Sequence, residues 1–399
     1  MLKAFKYKLN PNKEQITLLN KHFGCVRFIF NRYLNERKTE YKNNKNSINY
    51  NQTASSLTEL KKTEEFKWLK EVNSQTLQQS LKNLDTAYSN FFKKRANFPK
   101  FKSKHDKNSF CVPQFVSIKD NKLFIPKFKQ GIDLIYHRKI NGTIKQCTIT
   151  KTCTGEYFVS VLVETTHNKL PKTGKSVGVD LGLKDFAITS DGFKYKNNRF
   201  TKTYAKKLKK AQRCLSRKKK GSHRYEKQRL KVARIHKKIT NSRTDNLHKV
   251  STDLIRQYDV IVLEDLNVKG MVKNRKLSKS ISDASWGTFI QMLTYKAEWN
   301  DKQIVRISRW FPSSKTCHCC GYINKSLTLK DRDWTCPSCG EYLDRDLNAS
   351  KNILKEGLNN ISTGTVDYRR GDHIRPSSDG IVRETSKIRV ELPSEAHAV

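Results

Sequence analysis

The sequence predicts a multi-domain chain that joins a β-rich unit, interrupted by a helical module, to an α/β sheet. Short strand-like segments occupy the first ten residues and residues 109–165, and helical periodicity fills the interval between them. After the polar tract 167–176, apolar strands alternate with helices, which is typical of an α/β sheet. Two C-x2-C pairs in this second half predict a small metal-bound unit.

The first half begins with an alternating strand that a helical stretch follows. Phe5, Tyr7 and Leu9 share one face of this strand, and Asn10-Pro11-Asn12 breaks it and can cap a helix. The first strand and the strands of 109–165 are expected to form one barrel into which the helices are inserted. The expected helices are Lys13 to about Tyr41, Asn51–Leu60 and Ser74–Ala96.

The second half alternates strands with helices. We expect strands in SVGVDL (176–181) and YDVIVLEDL (258–266), with FAITSDGFKY forming a hairpin after the first. Residues 202–250 are predicted to be a strongly basic helical region. Further helices are expected over Trp286–Trp299 and from Asp346 onward, whereas the chain from about Gly357 has little apolar periodicity and is predicted to be disordered.

The charge balance indicates a polyanionic partner. The chain has 80 Lys and Arg against 37 Asp and Glu, a formal charge of +43. An excess of this size points to nucleic acid rather than to a small acidic molecule. A basic protein at a membrane surface is the alternative, but no long apolar span accompanies the charge, so no membrane association is expected. The opening MLKAFKYKLN lacks a signal-peptide core, and metal-binding cysteines fit a reducing compartment, so a cytoplasmic protein is expected.

The four cysteines of the C-x2-C pairs have the spacing of a zinc ribbon. Cys317 and Cys320 are separated from Cys336 and Cys339 by fifteen residues. Thiolates on two short turns can hold one structural Zn²⁺ in tetrahedral geometry. Cys319 and His318 are further possible ligands, although the symmetry of the two pairs favours Cys317 and Cys320. The remaining cysteines have no such spacing and are interpreted as core residues.

Three acidic residues lie where secondary-structure propensity would not place them. Asp180 lies inside an apolar strand, Glu264 ends another, and Asp346 opens a helix seven residues after Cys339. A buried carboxylate is costly unless it is paired, protonated or bound to a cation. Each acid alone could be a helix cap or a salt-bridge partner. Together they predict a divalent metal site, because two Mg²⁺ ions held by carboxylates can activate water for phosphodiester hydrolysis.

Four segments carry a specific resemblance to a known family. GVDLGLKDFAITSDG (178–192), VLEDLNVKGM (262–271), RWFPSSKTCHCCG (309–321) and DRDLNASKNIL (344–354) resemble the RuvC motifs and zinc finger of the TnpB (OrfB) family. Members of that family are transposon-encoded RNA-guided DNA endonucleases related to type V CRISPR effectors. The resemblance implies that Asp180, Glu264 and Asp346 are the catalytic acids. Asp344 is the nearest competitor, and the D-x-N-A spacing favours Asp346.

The resemblance also implies a domain organisation. The RNase H-like (RuvC) nuclease domain is expected at 177–312 and 341–356, with the zinc ribbon inserted at 313–340. The N-terminal unit is expected to be a β-barrel (wedge) domain at 1–10 and 105–168, with a helical recognition insertion at 11–104. Residues 169–176 are the predicted linker and 357–399 the predicted tail.

Cofactors and partners are implied in the same way. They are two Mg²⁺ ions, for which Mn²⁺ can substitute, one Zn²⁺, a guide RNA from the transposon end, and double-stranded target DNA beside a short adjacent motif. A monomer with one RNA is expected. Amides can read adenine edges and lysines can reach phosphates. The candidate contacts to nucleic acid are Tyr50, Gln75, Thr76, Gln79, Lys82, Lys206, Lys207, Lys210, Arg217, Lys218, Lys219 and Lys220.

Two other functions use the same features. A repressor guided by RNA would bind DNA without cutting it, and a transposase would join strands with the same metal chemistry. The intact acidic triad favours a nuclease over the repressor. The fold class does not separate hydrolysis from strand transfer.

Overall fold

Two large sheets and a small hairpin organise the chain. The computed structural model describes residues 1–328 and 330–364 of the 399 residues. The first half forms a seven-stranded antiparallel sheet in the order β2-β6-β7-β1-β5-β4-β3. Its strands are β1 (Leu2–Leu9), β2 (Asn108–Val112), β3 (Ser117–Lys119), β4 (Lys122–Phe124), β5 (Ile132–Ile135), β6 (Thr143–Lys151) and β7 (Tyr157–Glu164).

The alternation of β1 determines how this sheet packs. Phe5, Tyr7 and Leu9 are buried, as the sequence predicts, and β1 pairs with β7 along its whole length. The strands β2 and β3 lie at the two ends of the strand order, so closure into a barrel stays a prediction. The helices inserted after β1 pack against the same core. They are α1 (Lys13–Asn44), α2 (Tyr50–Leu60) and α3 (Ser74–Phe92), with a 3-10 segment at Glu64–Glu71.

The second half contains a five-stranded sheet in the order β10-β9-β8-β11-β12. The strands β8 and β11 are parallel neighbours, and so are β11 and β12, whereas β9 and β10 run antiparallel. The predicted α/β sheet and hairpin are therefore confirmed. The strands are β8 (Ser176–Asp180), β9 (Asp185–Thr189), β10 (Lys194–Lys196), β11 (Val260–Glu264) and β12 (Gln303–Ile307).

The helices of the second half begin with a basic segment. Ser222 caps the long helix α6, where its hydroxyl accepts the Tyr225 N–H. Two short strands form the hairpin that carries the second cysteine pair. The helices are α4 (Phe200–Thr203), α5 (Ala205–Ser216), α6 (His223–Gln257), α7 (Val268–Met271), α8 (Ser278–Ala284), α9 (Trp286–Asn300) and α10 (Arg345–Ser362), and the hairpin strands are β13 (Asp333–Thr335) and β14 (Tyr342–Asp344).

Alternation in β8 and β11 assigns their side chains to two different cores. Val177 and Val179 pack with α6 and α9, as do Ile261 and Leu263. Val262 packs on the other face with Ile353 of α10. Because successive residues of a strand point to opposite faces, the even-numbered residues of both strands face α10.

The helix α10 lies unusually close to this face of the sheet. A Cβ atom at Gly178 would be 2.1 Å from the Ser350 carbonyl oxygen, and one at Gly357 would be 2.3 Å from Val262 Cγ1. The helix continues to Ser362, so the prediction of disorder from residue 357 is wrong for 357–362. Gly357 packs directly on the sheet, which a sequence pattern without large apolar residues does not reveal. The rest of the predicted tail, residues 365–399, lies outside the described residues.

One carboxylate ties the two halves together. Glu156, the residue before β7, is 3.3 Å from Lys8 Nζ, and it also accepts a hydrogen bond from Lys237 of α6. The hydrogen bond from Lys237 lowers the pKa of Glu156 to about 2. The predicted linker is held as well, since the N–H groups of Thr173 and Gly174 both donate to Asp259 Oδ2 at 2.7 Å.

Among the helices of residues 1–328 and 330–364, none is both long enough and apolar enough to cross a membrane.

Because α10 lies so close to the sheet, adding one methyl group at Gly178 should lower the free energy of unfolding. Gly178→Ala places its Cβ against backbone atoms of α10, which cannot rotate away, and we expect a loss of about 1–3 kcal/mol in unfolding free energy. Gly287→Ala on α9 is the matched control, because no atom other than its chain neighbours and the backbone of its own helix lies within 4 Å of the added Cβ. The control should be neutral or stabilising by up to about 1 kcal/mol. Denaturant unfolding of both variants measures the difference, and equal stabilities would contradict the close packing.

Candidate active site and metal centre

Two of the predicted acids end neighbouring parallel strands. Asp180 is the last residue of β8 and Glu264 the last of β11. The register pairs Val179 with Leu263, so the two carboxylates follow at the same edge of the sheet. Asp180 is two residues after Gly178, and Glu264 is two residues after Val262, so both acids lie on the strand face that packs against α10. The alternation therefore directs both acids toward the first turn of that helix.

The third predicted acid, Asp346, lies in that first turn. Asp344 is the N-cap of α10, where Oδ1 accepts the N–H groups of Asp346 and Leu347 at 3.0 Å each. The Asp344 Oδ2 atom pairs with Lys194 Nζ at 2.8 Å. Asp344 therefore serves as a helix cap and an ion-pair partner. Asp346 is four residues before Ser350, so it shares the face of α10 that packs against the sheet.

Glu264 and Asp346 both lie near enough to Asp180 to affect its ionisation. Burial, reinforced by the negative charges of Glu264 and Asp346, raises the pKa of Asp180 to about 7, and nearby Arg345 partly opposes this effect. Three carboxylates at one sheet edge repel each other unless a proton or a cation intervenes. Oxygen ligands of this kind are those that Mg²⁺ prefers, so the residues present fit the expected metal.

The carboxylates do not form a closed ligand set. Among the described residues, the four cysteines are the only group of three or more His, Cys, Asp or Glu side chains whose ligand atoms lie close enough to share one ion. The three carboxylates are therefore farther apart than a single ion would require. Glu264 Oε1 instead accepts the Ser313 hydroxyl at 2.5 Å, and Asp346 Oδ2 lies 3.5 Å from Arg332 Nη1. Glu264 and Asp346 therefore each have a polar partner at the edge where Asp180 lies.

The four predicted cysteines form a compact cluster. Their Sγ atoms all lie within 4.8 Å of one another. Cys317 and Cys339 are 3.7 Å apart, and Cys320 and Cys336 are 3.6 Å apart, so the close contacts cross between the two pairs. A zinc ion with Zn–S bonds of about 2.3 Å requires tetrahedral edges of about 3.8 Å. The cluster fits a structural zinc site.

The two cysteine turns have the same backbone form. The Gly321 N–H donates to Cys317 O and the Gly340 N–H to Cys336 O, each at 2.9 Å. Both glycines have positive φ, 82° and 75°, which side chains other than glycine rarely adopt.

The two alternative zinc ligands lie elsewhere. His318 Nδ1 is 3.1 Å from Asn348 Oδ1, and its Nε2 is 3.1 Å from Lys351 Nζ, so the ring lies against α10. Cys319 is exposed beside that ring. Neither joins the four-cysteine cluster.

Buried amides connect the cysteine unit to α10. Asn348 Nδ2 donates to Thr316 O at 2.7 Å, and Asn348 Oδ1 accepts the His318 N–H at 2.9 Å. Asn352 Nδ2 donates to Ser313 O at 2.8 Å and to Thr316 O at 2.5 Å. Both asparagines are buried. The backbone of 313–318 is thus fixed to the helix that begins with Asp346.

The structure places four of the predicted N-terminal contacts at or near the surface. Lys82 Nζ lies over the Tyr50 ring at 5.7 Å, Gln75 donates to Gln114, and Gln79 donates to Asn83. Thr76 is different: its side chain is buried, and its hydroxyl donates to Asn73 O at 2.6 Å. The expected contact of Thr76 with nucleic acid is therefore wrong, because the hydroxyl stabilises the first turn of α3.

The predicted basic residues lie on α5 and on the turn after it. All seven are exposed, and the α5 helix has no buried residue along its length. They are Lys206, Lys207, Lys210, Arg217, Lys218, Lys219 and Lys220.

Sequence reasoning missed the residues that hold the acids in place. Ser313 and Arg332 contact Glu264 and Asp346, and Asn348 and Asn352 bind the cysteine unit. One usable signal was present: Asn348 and Asn352 are four residues apart, so they share one face of α10, and asparagine is a weak helix former.

Comparison with known proteins identifies the family. Three family models match: "Probable transposase" (OrfB_IS605) over residues 158–275, "Cas12f1-like, TNB domain" over 286–353, and "Helix-turn-helix domain" (HTH_OrfB_IS605) over 1–46. A Streptomyces pristinaespiralis protein named "Putative RNA-guided DNA endonuclease" is 39% identical over 402 residues, covering 99% of this chain and 97% of that protein. This chain belongs to the TnpB (OrfB) family.

A second relative extends the TnpB family match. The Escherichia coli (strain K12) protein named "Putative RNA-guided DNA endonuclease InsQ" is 35% identical over 384 residues, covering 92% of this chain and 94% of that protein. A solved structure, the cryo-EM structure of CasPhi-2 (Cas12j) bound to crRNA, aligns with a TM-score of 0.47 and 10% identity over 90% of this chain and 98% of that chain, a likeness that carries no argument. The predicted family is therefore confirmed by the sequence relatives.

Zinc content tests the cysteine cluster of this TnpB family member. Cys336→Ser removes one of four thiolates, and we expect bound zinc to fall from roughly one ion per chain to well below half of that. Cys319→Ser is the matched control and should keep its zinc, because Cys319 lies outside the cluster. Elemental analysis of the purified proteins gives the ratio. Full zinc in Cys336→Ser would contradict a four-cysteine site.

The raised pKa of Asp180 predicts a pH-dependent stability. The ordinary pKa is 3.8 and the folded value is about 7, so the folded protein keeps a proton that the unfolded chain releases. In magnesium-free buffer, wild-type stability should fall as pH rises from about 4 to about 7 and then level off. Asp180→Asn lacks this titration, so its melting-temperature advantage should be small at pH 4 and largest above pH 7. A constant difference across this range would exclude the predicted shift.

Proposed function

We propose that this protein is an RNA-guided, magnesium-dependent DNA endonuclease with a RuvC-type active site. It binds a guide RNA derived from the transposon end, reads a short motif beside the target, and cleaves double-stranded DNA in support of transposon maintenance. The observation that carries the proposal is the convergence of Asp180, Glu264 and Asp346 at one sheet edge. Support comes from relatives that match nearly the whole chain and are named as RNA-guided DNA endonucleases.

In this proposal Asp180, Glu264 and Asp346 would hold two Mg²⁺ ions, for which Mn²⁺ could substitute. When bound, the metal lowers the pKa of a water molecule and stabilises the leaving 3′ oxygen of a phosphodiester. With a pKa of about 7, the Asp180 carboxyl can lose its proton near neutral pH and would then be able to serve as a ligand. The Ser313 hydroxyl orients Glu264, and Arg332 lies beside Asp346.

The proposed nucleic-acid contacts are distributed over both halves. The exposed lysines of α5 supply salt-dependent affinity that is independent of sequence. A guide–target heteroduplex is recognised by its shape and backbone in RNA-guided systems. On the N-terminal side, Tyr50, Gln75, Gln79 and Lys82 remain the candidates for reading the adjacent motif. The RuvC, wedge and recognition assignments, a monomer with one RNA, and a bacterial cytoplasmic location belong to the same proposal.

Loss of one carboxylate tests the chemistry directly. Asp180→Ala and Glu264→Ala should each reduce cleavage of a guided plasmid by about 1,000-fold or more, because each removes a metal ligand that acts in the transition state. Binding of target DNA by the RNA-loaded protein should stay close to wild type. Asp185→Ala, in the same sequence motif as Asp180, is the control and should retain cleavage.

The same experiment separates the competing functions. RNA-free protein should leave the plasmid intact, so equal cutting without RNA would contradict guidance. Guided binding by the wild type without any cutting would favour the repressor. Products in which DNA strands are joined rather than hydrolysed would favour the transposase.

A further inference from the structure

Trp310 is an exposed aromatic residue next to the acidic site. Its exposed fraction is 86%, the highest value among the exposed large apolar residues of 1–328 and 330–364. Single exposed apolar residues are common on protein surfaces. Two features distinguish Trp310. The backbone on both sides of it is fixed, and it lies only three residues before Ser313, whose hydroxyl binds Glu264.

The residues on both sides of Trp310 are anchored. Arg309 forms an ion pair with Asp265, the residue after Glu264. Phe311 packs against the core between the sheet and α10, and its N–H donates to Ser308 O at 3.2 Å. The Trp310 N–H itself lies 3.3 Å from Ser308 Oγ. The indole therefore extends from a fixed backbone, so binding a ligand there does not require the main chain to be ordered.

The segment that carries Trp310 runs beside Glu264. The strand β12 ends at Ile307, which is in register with Glu264 of β11. Three residues after Trp310, the Ser313 hydroxyl donates to Glu264 Oε1 at 2.5 Å. The indole is thus on a short connection whose two ends both contact the β11 edge where the acids meet.

We propose that Trp310 stacks on an unpaired base of the DNA strand being cut, next to the scissile phosphate. This inference rests on the proposed endonuclease function. Stacking on an aromatic ring tolerates every base, because each base has a π-face. That tolerance is what a nuclease needs when a guide RNA, rather than the protein, selects the target. Trp310 is a positioning residue in this account, because it holds the strand while the carboxylates act.

Two substitutions separate stacking from simple apolar contact. Trp310→Phe keeps an aromatic face, whereas Trp310→Leu keeps an apolar side chain without one. Single-turnover cleavage by the RNA-loaded protein should fall about 5- to 150-fold in Trp310→Leu, the range that base stacking contributes. Trp310→Phe should stay within about 3-fold of wild type by the same reasoning. Melting temperatures should match wild type, because the side chain is exposed.

Fluorescence gives a readout other than activity. After the wild-type cleavage position has been mapped, 2-aminopurine is placed beside that phosphate, and an Asp180→Ala background keeps the DNA intact. Binding should quench the 2-aminopurine when residue 310 is Trp or Phe and not when it is Leu.

Normal cleavage and unchanged quenching with Leu would overturn the stacking role, and so would equal losses with Phe and Leu. A wild-type protein that binds guided target without cutting would instead overturn the proposed function.

Discussion

The position of α10 depends on two buried amides. Asn348 and Asn352 hydrogen-bond to the backbone of 313–318, the segment that leads into the first cysteine pair. A buried carbonyl that lost its donor would carry a desolvation penalty, so each bond stabilises one arrangement of helix and loop. Because Asp346 is two residues before Asn348, this contact also sets where the third carboxylate lies.

The sheet imposes the second constraint on the same helix. Gly178 lies two residues before Asp180 in β8, and its missing side chain lets the Ser350 backbone approach closely. Asp346, Ser350, Ile353 and Gly357 follow one face of α10 at helical spacing. The cysteine unit holds the helix from one side and the sheet from the other. A zinc site and a carboxylate site that are separate in chemistry are therefore coupled through one rigid element.

Features with a local signature could be predicted from the sequence. The apolar runs ending in Asp180 and Glu264 are strands, and the paired cysteine spacing forms a cluster, because periodicity and short spacing are properties of neighbouring residues. Contacts between distant segments could not be predicted. The Ser313 bond to Glu264 joins residues 49 positions apart. The sequence predicts Thr76 to be exposed, because the sequence of a helix does not show which segments pack over it. It assigns Gly357 to a disordered tail, because a residue without a side chain gives no apolar signal even where it packs against a sheet.

The most direct test of this account is the Asn348→Ala variant of the RNA-loaded protein, with Asn359→Ala on the exposed side of α10 as control. The measurement is the single-turnover cleavage rate as a function of magnesium concentration, in samples shown to retain their zinc. We expect Asn348→Ala to need a higher magnesium concentration for half-maximal cleavage, because Asp346 is no longer held toward Asp180, while Asn359→Ala behaves as wild type. Wild-type magnesium dependence and rate in a zinc-loaded Asn348→Ala protein would contradict the coupling of the cysteine unit to the acidic site.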